Sequence, residues 1–133
     1  MASIRKEIQI DAPPAKVWDA VRDFGALHER LVPGFVTDCR MDGEDRIVTF
    51  ASGAVMREVL IDSDDEAKRL AWSIVDGPYR HHNGVVQVFP AGESASRFVW
   101  TSDVLADEEV VRLTDESMQT GVETAKKTLE AAS

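Results

Sequence analysis

The side chains able to do chemistry in this sequence are few: Glu58 in "AVMREVLID", the adjacent His81 and His82 in "GPYRHHNGVVQVFP", the single Cys39, and Ser102 in "SRFVWTSD". A carboxylate or imidazole turned into an apolar interior becomes a ligand anchor or a general acid or base, because burial penalises its charged form and moves its proton affinity. A neutral imidazole also shuttles a proton near neutral pH. Neighbours on a regular strand point to opposite faces, so His81 and His82 do not enter one cavity together. Zinc needs three or four converging ligands, and with only His28 and Cys39 as further soft donors no metal is expected. No Ser/His/Asp order, G-x-G-x-x-G or P-loop pattern is present, so covalent hydrolase and nucleotide chemistry lack support, and no cofactor is expected.

Strand parity decides which of these groups can share a cavity. In "SIRKEIQI" the residues Ile4, Ile8 and Ile10 fall on one face, with Lys6 as the exception there. Pro13 and Pro14 then suit the first turn of a helix, Val17, Trp18, Val21 and Phe24 form its apolar stripe, and Gly25 ends it. A second short helix in "ALHERLVPG" stops before Pro33. Turn signals at "MDGED", "ASGA", "DSDDEAK", "DGPY" and "PAGESA" then divide six strands, expected at 34–42, 45–52, 54–63, 67–76, 79–90 and 95–105. Links this short require an antiparallel meander. After Asp107 the period becomes helical, and Val110, Val111, Leu113, Met118, Val122, Ala125 and Leu129 form the stripe of a long C-terminal helix.

The expected fold class is therefore α+β. Seven antiparallel strands curve around a long C-terminal helix, with two short helices after strand 1, and a small molecule fits in the space between sheet and helix. The 133 residues are expected to form one domain. A formal charge of −9 argues against nucleic acid or an anionic membrane as partner. The opening "MASIRKEIQID" has no signal-peptide core, and no run approaches the ~20 apolar residues that span a bilayer. One cysteine forms no internal disulfide, and a cytoplasmic location is the expectation.

Three segments, "IDAPPAKVWDAVRDFGALHERLVPG", "REVLIDSDDEAKRLAWSIVDGP" and "SRFVWTSDVLAD", with the order of elements, resemble the START/Bet v 1-like superfamily, in particular its polyketide cyclase/dehydrase and lipid-transport group. The resemblance covers essentially the whole chain and implies a helix-grip fold. Several strands are also similar to those of plant abscisic acid receptors, but the turn "ASGAVMRE" keeps Ser52 and Gly53 without the Leu-Pro of their gate, which argues against a hormone-gated role.

Parity alone turns Leu70, Trp72 and Ile74 inward on one strand and Phe98, Trp100 and Ser102 on another, in agreement with the resemblance. The aromatic residues serve either as pocket wall or as core that fills it. Parity leaves Glu58 open, since both faces of its strand carry apolar residues; the resemblance turns it inward. The resemblance likewise makes His81 the inward histidine, with a bulge near Asn83 and Gly84 that shifts the later inward set to Val86 and Val88. Thr37 and Cys39 share an inward parity with Met41, and Phe50 is a further expected contact. On the last helix Met118, Val122 and Ala125 close the cavity, and Gly121 costs about 1 kcal/mol against Ala unless close approach requires it. The expected function is binding or carriage of a small hydrophobic ligand, a lipid, polyketide or related aromatic or isoprenoid molecule. The alternative is a polyketide cyclase, aromatase or dehydratase-like enzyme with Glu58 and His81 as the catalytic candidates. Monomer and homodimer are both open.

Overall fold

The computed structural model describes residues 2–132, so Met1 and Ser133, the ends of the expected domain, lie outside the described residues. The chain runs β1 (Ala2–Ile10), α1 (Pro14–Arg22), a 3-10 turn (Phe24–Ala26), a π-helical turn (Leu27–Leu31), β2 (Val36–Asp42), β3 (Asp45–Phe50), β4 (Val55–Asp64), β5 (Arg69–Ile74), β6 (His81–Pro90), β7 (Ser96–Leu105) and α2 (Glu108–Ala131). Pro13 sits at the N-cap of α1 in extended backbone and Pro14 follows it, where a missing N–H costs no helical bond. The expected α1 stripe is buried at Val17, Trp18, Val21 and Phe24.

The seven strands form one antiparallel sheet in the order β1-β7-β6-β5-β4-β3-β2. Six of them make the meander that the short turns require, and β1 adds to the free edge of β7 with Ile4 opposite Ser102 and Ile8 opposite Phe98. Together with α2 this gives the α+β helix-grip arrangement expected from the pattern. Two irregularities bend the sheet, one in β2 between Val36 and Asp38 and one in β4 between Leu60 and Asp62.

Helix α2 buries Thr114, Met118, Gly121, Val122, Ala125 and Leu129, a run at helical spacing. Its last two turns are tied to the β1 end by Lys126 Nζ donating to the Gln9 carbonyl at 2.8 Å and by Glu130 accepting the Asp11 N–H at 2.8 Å. One side of its N-terminal half borders open space, with Val110, Leu113 and Thr114 on the cavity and Leu113 48% exposed, while Val111 and Met118 pack towards Ile4 and Val104. The core is accordingly split. A large cluster joins α1, the two short turns and the C-terminal half of α2, and a small one gathers Ile4, Val104 and Met118. Among the described residues no helix is long and apolar enough to cross a membrane.

Candidate ligand site

A cavity of about 590 Å3 lies between the concave face of the sheet and the N-terminal half of α2. Leu31, Phe35, Phe50, Met56, Leu70 and Ile74 supply much of its apolar wall, with Val86, Phe98 and Met118 deeper in. The aromatic residues do not fill it. Trp72 and Trp100 pack against each other with ring centroids 6.1 Å apart, and they form wall rather than plug.

Glycine makes that arrangement possible at two points. A Cβ at Gly84 would lie 2.8 Å from the Trp72 ring, and one at Gly121 would lie 2.7 Å from the Trp100 ring. Each indole thus rests on bare backbone, Trp72 on β6 and Trp100 on α2. The mid-helix glycine is there because of close approach, which offsets its poor helix propensity.

One row of inward side chains crosses the sheet and holds the polar groups. Arg46 on β3 is opposite Glu58 on β4, and Glu58 is opposite Ile74 on β5. Arg46 donates to Glu58 Oε1 from Nε at 2.8 Å and from Nη2 at 2.7 Å, and from Nη1 to the Phe24 carbonyl at 3.1 Å. Its guanidinium also lies 3.9 Å over the Phe24 ring. Glu58 therefore points inward, as the resemblance implies, and the cation that compensates its burial is Arg46. Arg46 was not among the expected site residues, although a signal for it existed: it shares the inward parity of β3 with Val48 and Phe50.

The same row continues to β6 through His82. Its Nδ1 accepts the Ile74 N–H at 3.2 Å, which places the ring proton on Nε2 and leaves Nε2–H as a donor. Burial, and then the neighbouring His81, pull its pKa down to about 4, so the ring is neutral at physiological pH. The Tyr79 ring stands 5.0 Å from it. Thr114 donates its only hydroxyl proton to the Val110 carbonyl at 2.7 Å, so the 2.7 Å contact between Tyr79 and Thr114 is donated by Tyr79. The phenol oxygen keeps only acceptor capacity. Burial pushes this phenol above its usual range, with the Thr114 bond opposing and the Glu58 charge adding to the rise.

The expected order of the two histidines is corrected here: His82 is 3% exposed and on the cavity wall, and His81 faces solvent. The reason is that the bulge expected near Asn83 and Gly84 is absent. β6 pairs with β7 in unbroken register from His81 opposite Leu105 to Pro90 opposite Ser96, so His82, Gly84, Val86 and Val88 share one face. Thr37 is also corrected. The β2 irregularity after Val36 turns it outward, exposed, with its hydroxyl on the Thr49 carbonyl at 3.3 Å. Cys39 is buried, but under the 3-10 turn with Sγ 3.8 Å from the Phe24 carbonyl, and burial pushes its thiol up. Val122 and Ala125 sit in the packed core beside the cavity rather than on its wall.

Ser102, 1% exposed, is on the wall opposite Gly84, and among the described residues its Oγ and Trp100 Nε1 are buried without a hydrogen-bond partner. Orphaned polar atoms of this kind call for a ligand or an ordered water.

A curved antiparallel sheet closed by one long helix over an open apolar cavity defines the helix-grip class. The sequence matches, over residues 1–130, the family described as polyketide cyclase / dehydrase and lipid transport, and the chain belongs to that family. No curated protein matches it. Among solved structures it is similar to an uncharacterised protein from Bacillus thuringiensis, with TM-score 0.86 and 18% identity over 96% of this chain and 98% of that one. It is also similar to norcoclaurine synthase from Thalictrum flavum, with TM-score 0.75 and 19% identity over 99% and 96% of the two chains. The di-domain ARO/CYC protein BexL of the BE-7585A biosynthetic pathway gives TM-score 0.83 and 16% identity over 98% of this chain and 47% of that one. At these identities the likeness shows the fold.

Proposed function

We propose that this protein binds a small hydrophobic molecule of the polyketide, lipid or isoprenoid kind between sheet and α2, as a cytoplasmic binding or carrier protein. The observation that carries this reading is the cavity itself. About 590 Å3 stays open between the sheet and the N-terminal half of α2, within the range of sites that enclose drug-sized molecules. Apolar walls supply affinity, and Glu58, His82 and Ser102 orient the polar end of the ligand. Glu58, with its charge met by Arg46, acts as a hydrogen-bond acceptor.

A second reading, a cyclase or dehydratase-like enzyme, draws on one observation: a buried neutral imidazole, His82, beside a phenol, Tyr79. Acid–base work on one reacting atom needs two titratable groups within reach of it. The Tyr79 hydroxyl proton is committed to Thr114 and burial raises this phenol above its usual range, which leaves His82 as the one group of the pair able to exchange a proton. This favours the carrier reading.

Native mass spectrometry of protein purified from its own organism tests the proposal. The expected result is a stoichiometric small-molecule adduct that is lost on denaturation. Protein that carries no adduct and takes up none from a hydrophobic extract of the same cells contradicts it.

A further inference from the structure

We infer that the molecule held in this cavity is uncharged, with a hydroxyl or carbonyl oxygen at its polar end in place of a carboxylate, phosphate or ammonium; this rests on the cavity being a ligand site. Of the described residues on its wall only Arg46 and Glu58 carry formal charges, and they are spent on each other. Arg46 is further held by the Phe24 carbonyl, and its guanidinium lies 3.9 Å from the centre of the Phe24 ring and 5.8 Å from that of Trp72. An anionic ligand would meet no unspent cation and would face the Glu58 carboxylate. A cationic ligand would meet the only carboxylate already engaged by a guanidinium. Either would lose its hydration without a new partner, which is the expensive way to bury charge.

The remaining wall groups are neutral and complement a neutral oxygen. His82 Nε2–H and Trp100 Nε1–H donate, the Tyr79 oxygen and Glu58 Oε2 accept, and the Ser102 hydroxyl does either. A carbonyl takes the donors, and a hydroxyl uses both kinds. The cavity thus discriminates against free fatty acids and phospholipid headgroups, and in favour of neutral phenols, alcohols and ketones.

Titration calorimetry at neutral pH with 2-naphthol, 2-acetylnaphthalene and 2-naphthoate, one skeleton with three polar ends, tests this. The two neutral compounds should bind, and naphthoate should bind about tenfold or more weakly, as an unmatched buried charge requires. Naphthoate binding as tightly as naphthol overturns the inference while leaving the ligand site intact; failure of all three overturns both. Glu58→Gln keeps the shape and frees Arg46, so it should raise naphthoate affinity about tenfold. The complementary Arg46→Gln should do the same for 2-(aminomethyl)naphthalene, which keeps the test alive if one variant does not fold. No gain for the matching ion in either folded variant overturns the claim that mutual neutralisation sets the selectivity.

Discussion

Arg46 and Glu58 meet inside the cavity through two hydrogen bonds that land on one carboxylate oxygen, with side chains only 4% and 5% exposed. The pair joins β3 to β4, and Arg46 also reaches the turn after α1, so three elements of the cavity wall share one guanidinium.

Removing one partner should therefore cost more than removing both. Arg46→Met leaves the Glu58 charge buried and should lower unfolding free energy by about 3–5 kcal/mol. The double variant Arg46→Met, Glu58→Leu should recover most of that loss in urea denaturation. A single variant within about 1 kcal/mol of the parent would show that solvent reaches the pair freely.

His82 should make stability depend on pH. Its pKa, lowered in the folded state to about 4 from the ordinary 6.5, means that the unfolded chain binds the proton more readily. The stability it contributes is present above pH 6.5 and is lost progressively as pH falls towards 4, by an amount on the order of 3 kcal/mol. His82→Asn keeps an acceptor for the Ile74 N–H and removes the titration. The difference between parent and variant stability, measured by denaturant melts across that window, should show this slope, and a flat difference would contradict it.

The correction at this histidine also shows what was legible in the sequence. The meander, the two prolines at α1 and the α2 stripe were all legible, because period and turn chemistry are local properties. The ends of β2 to β7 fall within two residues of the expected ones for the same reason. Gly84 was misread because a glycine within a strand signals either a bulge or a close approach, and only the fold reveals that the Trp72 ring lies on it. Thr37 failed in the opposite way: β2 does carry an irregularity, and no glycine announces it. Arg46 was legible in parity but not in meaning, since its partner lies across a hairpin. The Tyr79–Thr114 contact joins residues 35 positions apart and left no local trace.

Gly84→Ala should push the Trp72 ring into the cavity. With a Cβ placed 2.8 Å from that ring, the cost is about 1–3 kcal/mol in stability, with weaker binding of any bulky ligand. Gly121→Ala sets the 2.7 Å contact with Trp100 against a gain of about 1 kcal/mol in helix propensity. The β6 substitution should therefore be the more damaging in thermal melts. Equal or reversed effects would mean that Trp72 moves aside without loss.

Thr114→Val removes the hydroxyl that links Tyr79 to α2 and should cost about 1–2 kcal/mol, because it leaves the Tyr79 hydroxyl without its acceptor. Amide hydrogen exchange should rise in the 75–80 loop of the variant if this contact holds the loop to the helix.

The proposed ligand enters the space walled by Trp72 and Trp100. The most direct measurement is the set of indole N–H signals in a 15N–1H spectrum during titration with 2-naphthol, assigned by Trp→Phe variants. The chain has three tryptophans, and Trp18 is held away from the cavity by its 2.9 Å bond to Asp65. Saturable shifts of the Trp72 and Trp100 signals, with the Trp18 signal unmoved, are the expected result. Binding that moves Trp18 alone, or none of the three, would place the ligand outside this cavity.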